Sequence, residues 1–372
     1  MAQVRKARKL SRFNKIVLWL NYFAVVALLT GAVAKYISPQ IFWLIAFMGL
    51  AYPYVVILNI LFSIFWLIQF RRLALISVFG ILLTFFTLNK YFQVTINNKG
   101  SNNDLKVTSY NSMLFDLYNW SKNKQSRQYI INSLQEINPD VLCLQEFYNS
   151  NREDGMHNID TVVNALNTKY HHVEYTTIAY GHNHFGLATF SKYPIINKGT
   201  ILFNTRSNNI CIYSDLLINE DTVRVYNMHL QSISFSKQDY KFIDDALNSV
   251  DAQDELENSK NILRRLKRAF VKRAEQAEKV AYSIANCRYK VIVCGDFNDT
   301  PASYAYRIIS KDLKDAFVEK GSGFGRTYEG KFPKFRIDYI MHDQAIKCNA
   351  FEVCDETYTD HYPITAYFEL SR

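Results

Sequence analysis

Three long apolar stretches in the first quarter of the chain limit its possible folds more than any other feature. They cover residues 16–34, 41–70 and 73–88, and the first 92 residues contain ten Lys and Arg but no Asp or Glu. A helix needs about 20 apolar residues to cross about 30 Å of hydrocarbon. The helices of a soluble bundle would carry acidic residues on their exposed faces. The pattern therefore predicts a membrane anchor over residues 1–92, with about three transmembrane helices in contact with the bilayer through residues 16–88.

The three stretches differ in length. The second has 30 residues and would span about 45 Å as one helix, so it must tilt, kink or project. Pro53 lies in its middle and is the predicted kink. The third stretch is short, and the polar residues Thr87 and Asn89 indicate that it ends in the membrane interface. A cleaved signal peptide is disfavoured because three segments follow one another without a small-residue cleavage site.

The basic residues predict an orientation. Six of them precede the first stretch, and Arg71 and Arg72 separate the second from the third. Positive residues concentrate on the cytoplasmic side, so the N-terminus and the 71–72 turn are predicted to be cytoplasmic. Three spans would then place the rest of the chain outside the cytoplasm. If the third segment only lies in the interface, this assignment reverses.

The charge of the remaining chain is nearly balanced. The net charge of the protein is +9, but residues 93–372 hold 33 basic and 34 acidic side chains. Composition therefore gives no indication that this larger part binds nucleic acid. The six cysteines show no CxxC spacing, which argues against a structural zinc site. Cys143 and Cys294 are predicted core residues, and Cys348 and Cys354 could pair in an oxidising compartment.

Residues 93–104 are predicted to be a polar linker, and residues 105–372 a single α/β domain. Strand-like runs alternate with helical patterns, and neither a sequence repeat nor a phosphate-binding glycine loop is present. The predicted helices are 126–137, 160–169, 262–286 and 303–309. A polar, acidic excursion is predicted over 232–261, directly before a basic helix at 261–279. The strand-like runs end at Asn111, Glu146, Ser191, Leu230, Asp296, Met341 and Leu370.

Polar side chains stand at or near the ends of several of these apolar runs. Taken singly, each has an ordinary structural explanation, such as a turn or a helix cap. As a set they provide four carboxylates, two imidazoles and two amides. Hard cations such as Mg²⁺ prefer oxygen ligands, and phosphoester hydrolysis needs charge neutralisation, an activated water and a proton for the leaving oxygen. The set comprises Asn111, Glu146, His229, Asp296, Asn298, Asp338, Asp360 and His361.

Five short motifs of this chain resemble those of the endonuclease/exonuclease/phosphatase superfamily, and they occur in the family's order. They are LQE at 144–146, MHL at 228–230, GDFN at 295–298, RIDYI at 336–340 and TDHYPI at 359–364. The superfamily includes DNase I, abasic-site endonucleases, neutral sphingomyelinases and inositol-polyphosphate 5-phosphatases. The resemblance covers residues 105–370 and implies a four-layer α/β/β/α sandwich with its site at one rim. It also implies an enzyme that uses Mg²⁺, with Mn²⁺ as an alternative.

The resemblance implies a role for each matching residue. Glu146 would bind the metal, and Asp360 would lie near it. Asp296 would orient or deprotonate the attacking water, and Asn298 would hold a phosphoryl oxygen. Asn111 would steady Asp296.

The two histidines are also assigned by resemblance. Asp338 would pair with His361, which fixes the imidazole tautomer. His229 is similar to the histidine that protonates the leaving group in the DNase I and sphingomyelinase branches. Which histidine is acid and which is base stays open. Substrate contacts are predicted for Asn111, Asn298, Arg273 and Arg326.

Substrate choice in such a family depends on the loops between the motifs, so the substrate is open. One hypothesis is a phosphodiesterase that acts on lipid headgroups or similar esters near the bilayer. A second is a membrane-bound nuclease, favoured by His229 and by the basic helix. A third, a non-enzymatic scaffold, is disfavoured by the complete residue set. No obligate protein partner is evident.

Overall fold

The computed structural model describes residues 10–69, 71–95, 100–101, 104–203, 208–233, 252–330 and 334–370, apart from the side chains of 252–258. Half of the predicted linker at 93–104 and most of the acidic excursion at 232–261 lie outside the described residues.

The N-terminal region is helical. Its helices are α1 (Arg12–Ala34), α2 (Pro39–Phe42), α3 (Leu44–Ile68), α4 (Ala74–Leu83) and α5 (Phe85–Leu88). Only α1 and α3 are long and apolar enough to cross a membrane among the described helices. The third apolar stretch is divided at Thr84, and α4 alone rises only about 15 Å. The second stretch is divided at Trp43, whereas α3 continues through Pro53, where the sequence predicted a kink.

Several polar side chains are buried inside this helical bundle, and many large apolar side chains are exposed on its outer surface. Asn21 donates to Ser77 Oγ at 2.5 Å, and Ser77 donates to Asn59 Oδ1 at 3.0 Å, with all three side chains buried. Phe23 and Phe86, in contrast, are 69% and 83% exposed. Helices in lipid show this inverted distribution, because apolar side chains lose nothing there whereas unpaired polar groups cost free energy.

The C-terminal domain contains two six-stranded sheets. The first has the strand order β11-β12-β1-β2-β4-β3, and the second β5-β6-β7-β8-β10-β9. The pairs β1–β2 and β7–β8 are parallel, and all other neighbouring pairs are antiparallel. The strands are β1 (Leu105–Asn111), β2 (Val141–Ser150), β3 (Tyr170–Ala179), β4 (Asn183–Ser191), β5 (Ile195–Ile201), β6 (Ile210–Ile218), β7 (Asp221–His229), β8 (Lys290–Asp296), β9 (Leu313–Asp315), β10 (Asp338–Asp343), β11 (Lys347–Val353) and β12 (Ile364–Glu369).

Helices cover the outer face of each sheet. The helices α6 (Ser126–Ile137) and α7 (Asn158–Leu166) pack on the first sheet, and α8 (Ala252–Ala285) and α9 (Tyr304–Ile309) pack on the second. A short helix, α10 (Ala316–Lys320), follows β9, and a 3-10 turn, Met113–Asp116, follows β1. The inner faces of the sheets bury an apolar core that includes Val107, Cys143, Val225 and Cys294. The predicted four-layer α/β/β/α sandwich is confirmed.

The helical bundle packs directly against the domain. The rings of Phe47 and Phe270 lie 5.1 Å apart, edge to face, which joins α3 to α8. The carbonyl of Ala302 would lie 2.9 Å from a Cβ at Gly49, so only glycine permits this approach. Tyr91 also contacts the domain: its hydroxyl donates to Thr300 Oγ1 at 3.1 Å. The bundle and the domain are therefore held together by packed side chains and not only by the linker.

Candidate active site

The predicted site residues come together at one rim of the sandwich. Asn111 ends β1, His229 ends β7 and Asp296 ends β8, while Asp338 begins β10. In parallel β7–β8, His229 is the register partner of Asp296, and antiparallel β10 brings Asp338 opposite Asp296. The strand register alone therefore places these three side chains together. His361 joins them from the segment before β12.

Asp296 is the centre of the cluster and is 1% exposed. Asn111 donates from Nδ2 to Asp296 Oδ2 at 3.1 Å. The same oxygen lies 3.6 Å from Nε2 of His229 and 3.7 Å from Nε2 of His361. One carboxylate oxygen therefore faces both imidazoles, and the amide of Asn111 fixes its position.

His361 is held in one orientation. Its Nδ1 lies 2.9 Å from Asp338 Oδ2, and both side chains are buried. Thr327 Oγ1 accepts from the backbone N–H of Asp338 at 3.1 Å, which anchors the start of β10. Burial lowers the pKa of His361, but the carboxylates of Asp338 and Asp296 outweigh it and raise this pKa well above its ordinary value. His361 is thus fixed through its Nδ1, and its Nε2 lies 3.7 Å from Asp296 Oδ2.

Glu146 reaches the rim through an irregularity in β2. The β2–β4 register shifts between Leu144 and Phe147, and Glu146 has φ +47°. A left-handed non-glycine residue costs roughly 1–2 kcal/mol, and such strain is typical of functional sites. The bulge brings Glu146 Oε1 to 3.8 Å from Nε2 of His229. Burial, together with the nearby carboxylates of Asp360 and Asp296, raises the pKa of Glu146.

Asn298 lies beside Asp296 in a left-handed conformation, with φ +53°. Its backbone N–H donates to Asp296 Oδ1 at 2.8 Å, and its Nδ2 donates to the carbonyl of Leu230 at 3.0 Å. Both oxygens of Asp296 therefore accept hydrogen bonds. Gly295, one residue before Asp296, permits the close approach of β7 and β8, since a Cβ there would lie 2.2 Å from the carbonyl of Met228.

The donor set of this rim fits a hard divalent cation. Glu146, Asp296 and Asp338 bring three carboxylates together, and Oδ1 of Asp338 is buried without a hydrogen-bond partner among the described residues. Asp296, Asp338 and His361 each offer a ligand atom within 4.8 Å of the others. Clustered carboxylates repel one another unless a cation neutralises them, and oxygen donors suit Mg²⁺ or Mn²⁺. Asp360 acts electrostatically on Glu146, and its role as a ligand stays a prediction.

Two predicted substrate contacts lie elsewhere. Arg273 is 1% exposed, its Nε lies 3.0 Å from Asp299 Oδ2, and it donates to the carbonyl of Gln231 at 3.0 Å. Its guanidinium is therefore occupied in supporting the loop after Asn298, which corrects the predicted substrate contact. Arg326 is exposed and pairs with Glu329 at 2.6 Å.

Several supporting residues were not predicted from the sequence. Gln145 donates to Asn227 Oδ1 at 2.7 Å, and both are fully buried between the sheets. Gln145 directly precedes Glu146, and Asn227 lies two positions before His229. This closeness to predicted site residues is the sequence signal that could have identified them. Nothing in the local sequence marks Thr327 as a supporting residue, because Asp338, which donates to it, lies on β10.

A cavity of about 700 Å³ opens beside the cluster. It is lined by Glu146 and His229 and also by three cationic residues of α8, Arg265, Arg268 and Lys272. The cavity is large enough for a phosphoester with a sizeable leaving group.

Comparisons with known proteins agree with the fold. A family model described as the endonuclease/exonuclease/phosphatase family matches residues 119–361, well over half of the chain. Another, described as a domain of unknown function, matches residues 14–91. A comparison with curated proteins found no match.

Solved structures show the same fold. An endonuclease/exonuclease/phosphatase family protein from Bacteroides thetaiotaomicron is 17% identical, with a TM-score of 0.52, and the match covers 73% of this chain and 98% of that one. A mannosyl-6-phosphatase from the same organism is 16% identical, with a TM-score of 0.52 and coverage of 71% and 99%. The catalytic domain of human Nocturnin is 16% identical, with a TM-score of 0.52 and coverage of 74% and 96%.

Proposed function

The chain belongs to the endonuclease/exonuclease/phosphatase family, and on that premise we propose that it is a membrane-anchored, Mg²⁺-dependent phosphodiesterase that acts on lipid headgroups. Members of this family hydrolyse phosphoesters, so the chain is a hydrolase. The observation that carries the proposal is the single carboxylate, Asp296, placed between the two imidazoles of His229 and His361.

In the proposed reaction, water attacks phosphorus, a P–O bond forms to the water oxygen, and the P–O bond to the leaving alcohol breaks. Asp296 accepts the proton of the water, and Asn111 and the backbone of Asn298 hold its two oxygens. His229 donates a proton to the leaving oxygen. The proton on Asp296 can then return to His229, whose Nε2 is 3.6 Å away. The products are a phosphomonoester and an alcohol.

His361 contributes charge and position. Because Asp338 fixes its Nδ1, its Nε2–H points into the cluster and can donate to a phosphoryl oxygen. Glu146 and Asp360 are the proposed ligands of Mg²⁺. When bound, the ion would neutralise charge on the phosphoryl group.

The lipid substrate is supported by the apolar helices. With exposed residues such as Phe23 and Phe86 in the bilayer, the packed interface with α8 keeps the cavity within reach of lipid headgroups. We propose that α1, α3 and the α4–α5 segment run across the membrane, with the N-terminus in the cytoplasm and the domain on the opposite side.

The test is turnover by full-length protein in detergent. Release of water-soluble phosphate esters from mixed phospholipid micelles is measured with Mg²⁺ and then with EDTA, next to nicking of a plasmid. Asp296→Asn is the inactive variant, and Asp312→Asn, an exposed Asp of the same domain, is the matched control. We expect Mg²⁺-dependent headgroup release by wild type and the control only. Plasmid nicking without headgroup release would replace the proposal with a membrane-bound nuclease.

A further inference from the structure

A second cluster of metal-ligating side chains lies in the domain, away from the catalytic rim. Glu319 of α10, His342 of β10 and Cys348 of β11 each offer a ligand atom within 4.8 Å of the others. His342 is fully buried and Cys348 is 2% exposed. His342 follows Asp338 by four residues on the same strand, which separates it from the rim by about 13 Å. The proposed hydrolysis uses none of the three side chains.

The surroundings of His342 fix which ring nitrogen is available. Its Nδ1 lies 3.0 Å from the backbone carbonyl of Asp343, and because a carbonyl can only accept, Nδ1 carries a proton. Its Nε2 lies 3.0 Å from Glu319 Oε2, yet it is buried and forms no hydrogen bond among the described residues, so this oxygen is out of line with the ring nitrogen. Histidines that bind metals usually donate their other N–H to a carbonyl or a carboxylate in this way.

Neither protonation state of the ring satisfies Nε2. In the neutral ring, Nε2 bears a lone pair that faces a carboxylate oxygen 3.0 Å away, and two acceptors repel each other. In the protonated ring, a buried N–H lacks an aligned acceptor, which costs free energy. A cation bound to both Nε2 of His342 and Oε2 of Glu319 would remove either cost. The other oxygen of Glu319 is already paired, since Oε1 lies 3.0 Å from Nζ of Lys314.

The donor atoms favour zinc over magnesium. They are one nitrogen, one sulfur and one oxygen, the three atom types that Zn²⁺ takes in proteins, whereas Mg²⁺ takes oxygen. Bonds of about 2.0–2.1 Å to nitrogen and oxygen and about 2.3 Å to sulfur place the ligand atoms of a zinc tetrahedron roughly 3.3–3.6 Å apart. Side-chain shifts of about 1 Å would bring atoms that lie within 4.8 Å of one another into such a set.

The cluster joins the two sheets. Strand β10 belongs to the second sheet and β11 to the first, and the ring of His342 lies 5.0 Å from that of Phe368 on β12. Cys348 packs in the apolar core between the sheets, and its thiol donates to the carbonyl of Ala350 at 3.4 Å. The side chain of Glu319 is 29% exposed, which gives an ion and a water ligand access to the cluster.

A site of this kind leaves no motif in the sequence. The missing CxxC spacing argued against structural zinc, but here 22 residues separate Glu319 from His342 and five separate His342 from Cys348. Only the packing of a helix against two strands from different sheets brings the three side chains together.

We propose that Glu319, His342 and Cys348 bind Zn²⁺ and thereby stabilise the contact between the two sheets. As the Zn–S bond forms, the thiol of Cys348 releases its proton to solvent and gives up its hydrogen bond to Ala350. A water molecule is the fourth ligand. The proposal does not depend on the substrate or on the proposed hydrolysis.

The test combines metal content with a spectroscopic signature. Full-length protein is purified in detergent without a chelator, and its zinc is measured by plasma mass spectrometry. The zinc is then removed with a chelator, Co²⁺ is added at saturating Mg²⁺, and sulfur-to-cobalt charge-transfer absorption is recorded. The catalytic cluster of Glu146, Asp296 and Asp338 contains no sulfur, so Co²⁺ bound there gives no such absorption.

Three variants accompany the wild type. Cys348→Ser removes the sulfur ligand, and Cys354→Ser is its matched control, because Cys354 directly follows β11 and lies outside the cluster. Glu319→Gln changes a partly exposed ligand and leaves the apolar core intact.

We expect about one zinc per chain and the cobalt absorption in wild type and in Cys354→Ser, and neither in Cys348→Ser. Glu319→Gln should weaken zinc binding at least about tenfold, since even lost outer-shell partners cost that much. Zinc at about 100 times its dissociation constant should raise the Tm of the zinc-free wild type by about 5 °C or more, and should leave that of Cys348→Ser unchanged.

Two results would overturn the site. One is wild-type protein without zinc whose Co²⁺ complex lacks the sulfur absorption, in which case His342 and Glu319 form an ion pair beside a thiol. The other is an absorption that Cys348→Ser retains. If Cys348→Ser does not fold, Glu319→Gln decides, because an unchanged zinc affinity in that variant would equally overturn the proposal.

Discussion

The two imidazoles beside Asp296 differ in how they are anchored. Nδ1 of His361 is bonded to the buried Asp338, whereas Nε2 of His229 is buried without a hydrogen-bond partner among the described residues, and the His229 side chain lines the cavity. A group that delivers a proton to a departing oxygen must reach that oxygen, so the position of His229 on the cavity wall favours it as the acid. His361, fixed by Asp338, is better placed to hold a positive charge beside the phosphoryl group.

His229→Ala is expected to slow hydrolysis of an alkyl phosphodiester by about 10²–10⁴-fold, the usual contribution of a general acid. The loss should be much smaller with a p-nitrophenyl ester, because p-nitrophenolate departs without a proton. Initial rates on both esters at saturating Mg²⁺ check this. If both rates fall by the same factor, His229 has another role, such as binding the phosphoryl group.

Asp338 and His361 should make the free energy of unfolding of the metal-free protein depend on pH, in a direction that follows from their pKa shifts. Burial raises the pKa of Asp338 to about 6, and the carboxylates raise that of His361 despite its burial. Both groups therefore hold their protons more tightly in the folded than in the unfolded state. The contribution of His361 is fully present below its unfolded pKa of about 6.5 and is lost as the pH rises through its folded value.

We therefore expect His361→Gln in EDTA to be less stable than wild type at pH 6, with the difference shrinking as the pH is raised towards 9. Thermal unfolding of full-length protein in detergent at several pH values measures this. A difference that grew with pH would mean that the folded protein holds a neutral His361.

At the scale of helices and strands, the elements predicted best are those whose bounds are marked by neighbouring residues in the sequence. Helix α6 was predicted at its observed bounds, because its apolar face recurs at helical spacing and Asn138 ends it in the left-handed conformation. Strands β3 and β5 lie at sheet edges and have irregular, mostly half-exposed residues, so no alternation marked them. The catalytic strand ends were recognisable since apolar runs stop at polar residues there.

The segment after α5 could not be assigned from local sequence, because its partners are about 200 residues away. Tyr91 donates to Thr300 and accepts from the backbone N–H of Ala302 at 3.1 Å. The carbonyl of Lys90 accepts from Arg336 at 2.8 Å. These contacts reach the loop after Asn298 and the residues before Asp338, so the segment after α5 supports both sides of the site.

Tyr91→Phe should destabilise the protein by about 1–3 kcal/mol, because two buried groups lose their partner. It should also lower kcat, since the loop that follows Asn298 loses a support. Thermal unfolding and turnover on bis(p-nitrophenyl) phosphate measure the two effects, with the exposed Tyr282→Phe as control. Unchanged values in both assays would show that the bundle and the loop are energetically independent.

At the scale of the whole molecule, the ends of the bundle define two sides. Asn14 donates to Gln69 Oε1 at 2.7 Å, which joins the start of α1 to the end of α3, next to where α4 begins. At the other end, Tyr52 donates to the carbonyl of Thr84, and Tyr91 reaches the domain. The α4–α5 segment therefore returns along the bundle towards the domain, although α4 alone is too short to span. The sequence could not distinguish this path from a segment lying in the interface.

This path predicts that the N-terminus and the catalytic domain lie on opposite sides of the membrane. In intact cells, a membrane-impermeant maleimide should label Tyr282→Cys, at an exposed position of the domain, and should label Ala2→Cys only after permeabilisation. Wild-type protein gives the background from the natural cysteines. Labelling of Ala2→Cys alone would reverse the orientation but keep the three-segment path. Protection of both sites until permeabilisation would place the domain in the cytoplasm and would mean that α4–α5 does not cross the membrane. Only headgroups of the cytoplasmic leaflet could then be substrates.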